Sequence, residues 1–179
     1  MRPALWLLAG AVLVAGCGGD DGDRLSGGDL PRAPAALRVS SPAFIDGARL
    51  AKRYTCDGAG EEPPVKAGTV PASTRELVLV VSDPDAPGGT YVHVTRYGLS
   101  PRGDGSVDHG GDEGQNSAGK TGWTPPCPPK GDGPHRYVWS VYALREPSGL
   151  DAGAKPAAVA DRITHGVLAS GTITARYAR

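Results

Sequence analysis

The chain has 179 residues, room for one domain of ordinary size and cramped for two. Lys and Arg total 19 and Asp and Glu total 19, so the formal charge is zero, which excludes a general attraction to nucleic acid or another polyanion. Gly and Pro make up about a quarter of the residues, which suits turns and short strands better than long helices. With one Phe and one Met, the core falls to Val, Leu, Ile and a few Tyr and Trp.

The chain opens with Arg2 and an apolar run from Leu5 to Val14, too short to span a bilayer comfortably but suited to a secretory leader. The run ends in Val14-Ala15-Gly16-Cys17. Small residues just before a cysteine form the cleavage pattern of bacterial lipoproteins. Residues 1–16 are therefore expected to be removed, and Cys17 to carry lipid that holds the protein on the extracytoplasmic face of the membrane. Residues 17–36 are rich in Gly, Asp and Pro without apolar periodicity and read as a flexible tether. The domain is expected over residues 37–179.

That domain reads as mostly β. Residues 36–40 form a first candidate strand, stopped by Pro42. Residues 76–81 are a continuous apolar, β-branched run of the kind found in buried central strands. In a third strand, 91–99, alternation predicts Tyr91, His93, Thr95 and Tyr97 on one face and Val92, Val94 and Arg96 on the other. Residues 100–134 are dense in Gly and Pro and carry no strand pattern, and a loop of that length in a compact domain is usually functional. Residues 136–144 form a fourth strand and 172–177 a last one. Between these two, Pro156 occupies a first-turn position, and Val159, Ile163 and Val167 follow at four-residue spacing with Ala160 and Leu168 alongside. This predicts a helix that Gly171 ends.

Polar groups gather where these strands end. Asp83-Pro84-Asp85-Ala86-Pro87 follows the second strand, and its prolines hold the backbone stiff around two carboxylates. His93 lies in the third strand and His135 at the entry of the fourth. Asp-Pro-Asp-Ala-Pro at 83–87, Tyr-Val-His at 91–93 and Pro-Pro-Lys-Gly-Asp-Gly-Pro-His-Arg-Tyr at 128–137 together resemble the phosphatidylethanolamine-binding protein family, and more closely its bacterial Raf kinase inhibitor-like branch. The resemblance runs from about Val39 to Arg179 and includes Tyr54-Thr55-Cys56-Asp57-Gly58 and the closing helix and strand. It implies a β-sandwich with a small anion-binding pocket at one end. Asp83, Pro87, His93, His135 and Tyr137 match positions that line or support that pocket, and Trp123 and Cys127 fall near the loop that walls it. The implied ligand is a phosphate, a carboxylate or a lipid headgroup. Inhibition of a protein partner, such as a protease or a kinase, occurs in the family, but the sequence names no partner. Two departures bear on ligand size and the pocket rim. Val94 stands where the family often has Trp after the pocket histidine, and Glu61-Glu62-Pro63-Pro64-Val65-Lys66 replaces a stretch that usually ends in Trp.

The residues themselves leave three chemistries open for two imidazoles beside a carboxylate. A two-His, one-carboxylate metal set is one, but the helical or tight-loop spacing it usually uses is missing. Acid–base catalysis by His93, His135 and Asp83, as in a hydrolase with or without a metal, is the alternative function, but no nucleophile is evident. The third is hydrogen bonding to an oxyanion, with Asp83 accepting from one imidazole nitrogen and the other nitrogen, with the Tyr137 hydroxyl, donating toward the ligand. The family resemblance favours this third reading, with no cofactor and no metal. His109 and His165 read as structural residues. The segment Gly114-Gln115-Asn116-Ser117-Ala118-Gly119-Lys120-Thr121 has the spacing of a phosphate-binding loop, but the Trp-Thr-Pro-Pro after Gly122 forbids the helix such a loop needs. Once Cys17 is lipidated, Cys56 and Cys127 are the cysteines left, and an extracytoplasmic setting favours a disulfide between them.

Overall fold

A computed structural model describes residue 30 and residues 33–101, 105–107 and 110–179. The expected leader, Cys17 and His109 lie outside the described residues. The chain forms strands β1 (Ala35–Ala36), β2 (Val39–Ser40), β3 (Lys66–Ala67), β4 (Glu76–Asp83), β5 (Tyr91–Leu99), β6 (Asp112–Glu113), β7 (His135–Leu144) and β8 (Val167–Tyr177), with helix α1 (Pro156–Gly166) before the last. Six strands make one sheet in the order β1-β8-β7-β4-β5-β6, and β2 pairs with β3 in a second, small sheet. The mostly β fold expected from the sequence is the one observed.

The four long strands pair antiparallel, with the wholly buried β4 between β5 and β7. Alternate residues feed two cores. Leu77, Leu79 and Val81 of β4 join Tyr137, Trp139 and Val141 of β7 and Ile173 of β8 beneath the loops and the small sheet, where Phe44 packs on Trp139 with ring centroids 4.8 Å apart. Val78, Val80, Tyr142 and Leu144 face the other way, against Val159, Ala160 and Ile163 of α1. The odd-numbered face of β4 thus runs through Val81 to Asp83 at the sheet's end, and that of β7 begins at His135 and Tyr137.

The structure departs from the expected elements in several places. The helix stops at Gly166, and Val167 and Leu168 belong to β8, because β8 follows β7 as far as the Leu144–Val167 pair. Gly171 is therefore not a helix end but a strand residue, and the backbone of Leu37 crosses it so closely that an added Cβ would stand 1.8 Å from the Leu37 carbonyl oxygen. That close approach lets Ala35, expected in the tether, and Ala36, where the tether meets the first candidate strand, pair in parallel with Ala169 and Ser170. The single first strand is split between the two sheets as β1 and β2. The long loop contributes the two-residue β6, paired with Arg96 and Tyr97.

The regular alternation expected of β5 is also broken. Val81 faces Val94 but Ser82 faces Val92, so His93 is an extra residue in a bulge, and the pairing slips again near Gly98, which has φ of 68°. Tyr91 and His93 consequently face the loop-side core with Val94, whereas Tyr97 packs with Val92 on the helix side. Bulges commonly re-aim a side chain beside a functional site, and this one turns His93 toward Tyr137.

Candidate functional site

The ends of β4, β5 and β7 and the segment 124–129 enclose a cavity of about 390 Å³. Asp83, Pro87, His93, Cys127, His135 and Tyr137 all line it, so six of the seven expected pocket residues converge. Trp123 does not line it. Its ring lies 6.0 Å from that of His93, and its indole N–H donates to the Gly60 carbonyl at 2.9 Å, which makes it a support behind the histidine.

Asp83 is fixed on both oxygens. Oδ1 accepts the Asp85 backbone N–H at 2.9 Å, and Oδ2 accepts from His135 Nδ1 at 2.7 Å. Asp85 in turn grips Arg136, whose backbone N–H, Nε and Nη2 donate to its carboxylate at 2.8, 2.9 and 2.6 Å. These hydrogen bonds from Arg136 hold the Asp85 pKa down to about 2, against a smaller effect of burial. The Asp-Pro-Asp turn is thereby pinned to the start of β7, and Asp83 and His135 are held in register.

Burial pulls the His135 pKa down, but the hydrogen bond and charge of Asp83, with help from Asp132, outweigh it and raise the value above the ordinary one. His135 Nε2 lies 3.4 Å from Asp132 Oδ2. Because Nδ1–H donates its hydrogen bond to Asp83, Nε2 is a donor only when the ring is protonated. The expectation that the nitrogen left over from Asp83 donates toward the ligand therefore holds for the protonated ring alone.

His93 behaves oppositely. Its Nδ1 sits 2.6 Å from the Thr124 carbonyl oxygen, which can only accept, so Nδ1 carries hydrogen. Burial lowers its pKa, with the Thr124 carbonyl and the charge of Asp83 opposing, so the ring is kept neutral. Its Nε2 is buried without a hydrogen-bond partner, and so is the Tyr137 hydroxyl. The two rings meet edge to face with centroids 5.3 Å apart. Burial first, and then nearby Asp83, push the Tyr137 phenol well above its usual pKa, so it remains an O–H donor.

The Thr124 carbonyl is positioned by a residue whose role the sequence did not reveal. Asn116 is buried, and its Nδ2 donates to the Gly122 carbonyl and to Thr124 Oγ1 at 3.0 and 2.8 Å. Its Oδ1 accepts from the backbone of Ala118 and Lys120, so the glycine-rich segment 114–121 closes on its own side chain rather than around a phosphate. The loop is stitched to β5 by Ser117 N–H to the Val92 carbonyl and Thr124 N–H to the His93 carbonyl, both at 2.9 Å. Tyr91, Thr124 and the prolines at 125, 128 and 129 complete the wall. Tyr91 opens the Tyr-Val-His motif and Pro128 and Pro129 open the motif that ends in Tyr137, whereas Asn116 gives no signal beyond its polarity.

Cys127 is bonded to Cys56, the expected disulfide, with Cα atoms 5.4 Å apart. Arg179 donates from Nη1 to Cys127 Sγ at 3.2 Å and from Nε to Asp57 at 3.1 Å. The departure at 61–66 has a structural use away from the cavity. Glu62 takes Arg96 in a bidentate pair at 2.9 Å for both contacts, and Glu113 takes Arg96 Nη2 at 2.6 Å. His165 is exposed on α1, donates to the Asp161 carbonyl at 2.8 Å and does not line the cavity. Among the described residues no group of three His, Cys, Asp or Glu side chains is arranged to hold a metal ion.

Comparison with known proteins places the chain among relatives of one kind. The profile of the phosphatidylethanolamine-binding protein family matches residues 40–178. A protein of Mycobacterium tuberculosis named "Putative lipoprotein LppC" is 40% identical over 163 residues, which cover 82% of this chain and 81% of that one. A UPF0098 protein of Aquifex aeolicus is 35% identical, over 81% of this chain and 90% of its own. Among solved structures, the phosphatidylethanolamine-binding protein homologue CT736 of Chlamydia trachomatis superposes with a TM-score of 0.74 at 32% identity, covering 80% of this chain and 98% of that one. YbcL of E. coli, described as a member of the mammalian family, gives 0.72 at 29% identity, over 81% and 99%. None of these relatives is named as an enzyme.

Proposed function

The chain belongs to the phosphatidylethanolamine-binding protein family, and on that premise we propose that it is a lipid-anchored, extracytoplasmic binding protein whose cavity takes a small oxyanion, a phosphate or a phosphorylated headgroup. The relative named as a lipoprotein supports the anchor on Cys17, as does the leader pattern before it. The observation that carries the ligand reading is the pair of orphaned buried polar atoms, His93 Nε2 and the Tyr137 hydroxyl, on rings that line one cavity beside the Asp83–His135 pair. Buried polar atoms normally have partners, and a ligand oxygen supplies them here. Below its raised pKa, His135 carries the positive charge that draws the anion.

Among the described residues the lining holds no serine, its cysteine is tied in the disulfide and its Thr124 hydroxyl is held by Asn116, which supports binding rather than nucleophilic catalysis. Titration of inorganic phosphate into the wild type and His135→Ala, followed by NMR at mildly acidic pH, tests the reading. Saturating shifts around the cavity in the wild type and their loss in the variant are expected. Equal shifts in both proteins, or none in the wild type, overturn it.

A further inference from the structure

We propose that this cavity selects an oxyanion that still carries one acidic proton, a phosphomonoester or free phosphate in its singly protonated form, with His93 Nε2 accepting the ligand's own O–H. The inference rests on the oxyanion reading above and specifies which oxyanion fits.

The geometry sets the polarity of each contact. The Thr124 carbonyl, on a residue whose side-chain hydroxyl is held by Asn116, fixes hydrogen on His93 Nδ1 and leaves a lone pair on Nε2. That nitrogen is buried, has no partner and belongs to a ring on the cavity wall, so it is an acceptor awaiting a donor. A fully deprotonated oxyanion has only acceptors and would place two lone pairs against each other there. The Tyr137 hydroxyl, equally orphaned, is a donor and suits an unprotonated oxygen of the same ligand. The cavity therefore presents one acceptor and one donor on adjacent rings, and a P–OH beside a P–O⁻ complements both.

The surrounding charge favours the same species. Facing His93 are Asp83 from β4, Tyr91 on its own strand, Tyr137 and His135 from β7, and Trp123 and Thr124 from the loop. Among the described residues no Lys or Arg lines the cavity. The cation at hand, a protonated His135, already faces the carboxylates of Asp83 and Asp132 at 2.7 and 3.4 Å, so the cavity has no surplus positive charge for a dianion. Burial, which lowers the His93 pKa, favours the neutral ring that this acceptor role requires.

Three probes separate the possibilities, used on the unmodified wild type. Methyl phosphate is a singly protonated monoanion at mildly acidic pH, since the second pKa of a phosphomonoester is about 6. Dimethyl phosphate carries the same single charge without a proton to give, as does the phosphodiester of an intact phospholipid. Sulfate is a dianion at the same pH. Leaving a buried acceptor unpaired weakens binding by roughly tenfold or more, so methyl phosphate is expected to bind at least that much more tightly than dimethyl phosphate or sulfate. Its affinity is expected to fall as pH rises toward 8. Imidazole nitrogen NMR should show His93 Nε2 unprotonated when free and hydrogen-bonded when methyl phosphate is bound. Equal affinity for methyl and dimethyl phosphate, or tighter binding of the dianion at high pH, leaves the oxyanion pocket standing and overturns the selection for a proton. No binding of any of the three overturns both readings.

Discussion

Replacing both Cys56 and Cys127 by alanine removes the disulfide that ties the cavity wall to the turn after Tyr54. The two cysteines are 71 residues apart. Closing a loop of that length removes about 15 cal/mol/K from the unfolded chain, or about 4 kcal/mol at room temperature, in the chain-entropy account. A domain of this size is stable by about 5 to 15 kcal/mol, so the loss is a large share of the total, and Tm should fall by roughly 8–16 °C. The fold should persist, because the Cys56 backbone N–H still donates to the Pro126 carbonyl at 3.0 Å and the sheet does not pass through the bridge. Urea unfolding of the wild type and the double variant at one pH measures the difference. A variant within about 1 kcal/mol of the wild type would refute the argument that the bridge acts by restraining the unfolded chain. Phosphate affinity should weaken as well, since Cys127 forms part of the wall.

The histidines predict opposite pH dependences of stability. The raised pKa of His135 contributes stability that is fully present below about 6.5 and is lost as pH rises through the higher folded value, so His135→Gln should cost more at pH 5 than at pH 8 by urea unfolding. His93, lowered by burial, contributes stability above about 6.5 that is lost as pH falls, so His93→Gln should cost more at the higher pH. Gly171→Ala should destabilise by about 2 kcal/mol or more, because the new Cβ meets the Leu37 backbone rather than a movable side chain; unchanged thermal unfolding contradicts this. Cys17→Ser should move the protein from the membrane fraction to the soluble fraction, and an unlipidated, soluble wild type contradicts the anchor.

The sequence carried the site more fully than it carried the strands. Asp83, His93 and His135 are recognisable because their motifs are short, rich in proline and fixed in order. The disulfide is legible once Cys17 is assigned to lipid, since two thiols then remain. Periodicity failed where backbone geometry departs from a regular strand. The bulge at His93 and the slip near Gly98 leave no mark in a pattern of apolar and polar residues, so alternation misplaced Tyr97. Val167 and Leu168 continue the helical spacing of α1, yet pairing with β7 draws them into β8, a tertiary choice that local sequence does not contain. Asn116 was hidden for a related reason. Its value lies in a loop closure that fixes the Thr124 carbonyl, and only the folded loop shows which tautomer of His93 results.

What occupies the cavity is measured directly by a crystal structure of the protein grown with phosphate at mildly acidic pH. Density for one phosphate among His93, His135 and Tyr137, with an oxygen within hydrogen-bonding distance of His93 Nε2 and another of the Tyr137 hydroxyl, is the expected result. A cavity that holds only water under those conditions, with phosphate bound elsewhere on the surface, would contradict it.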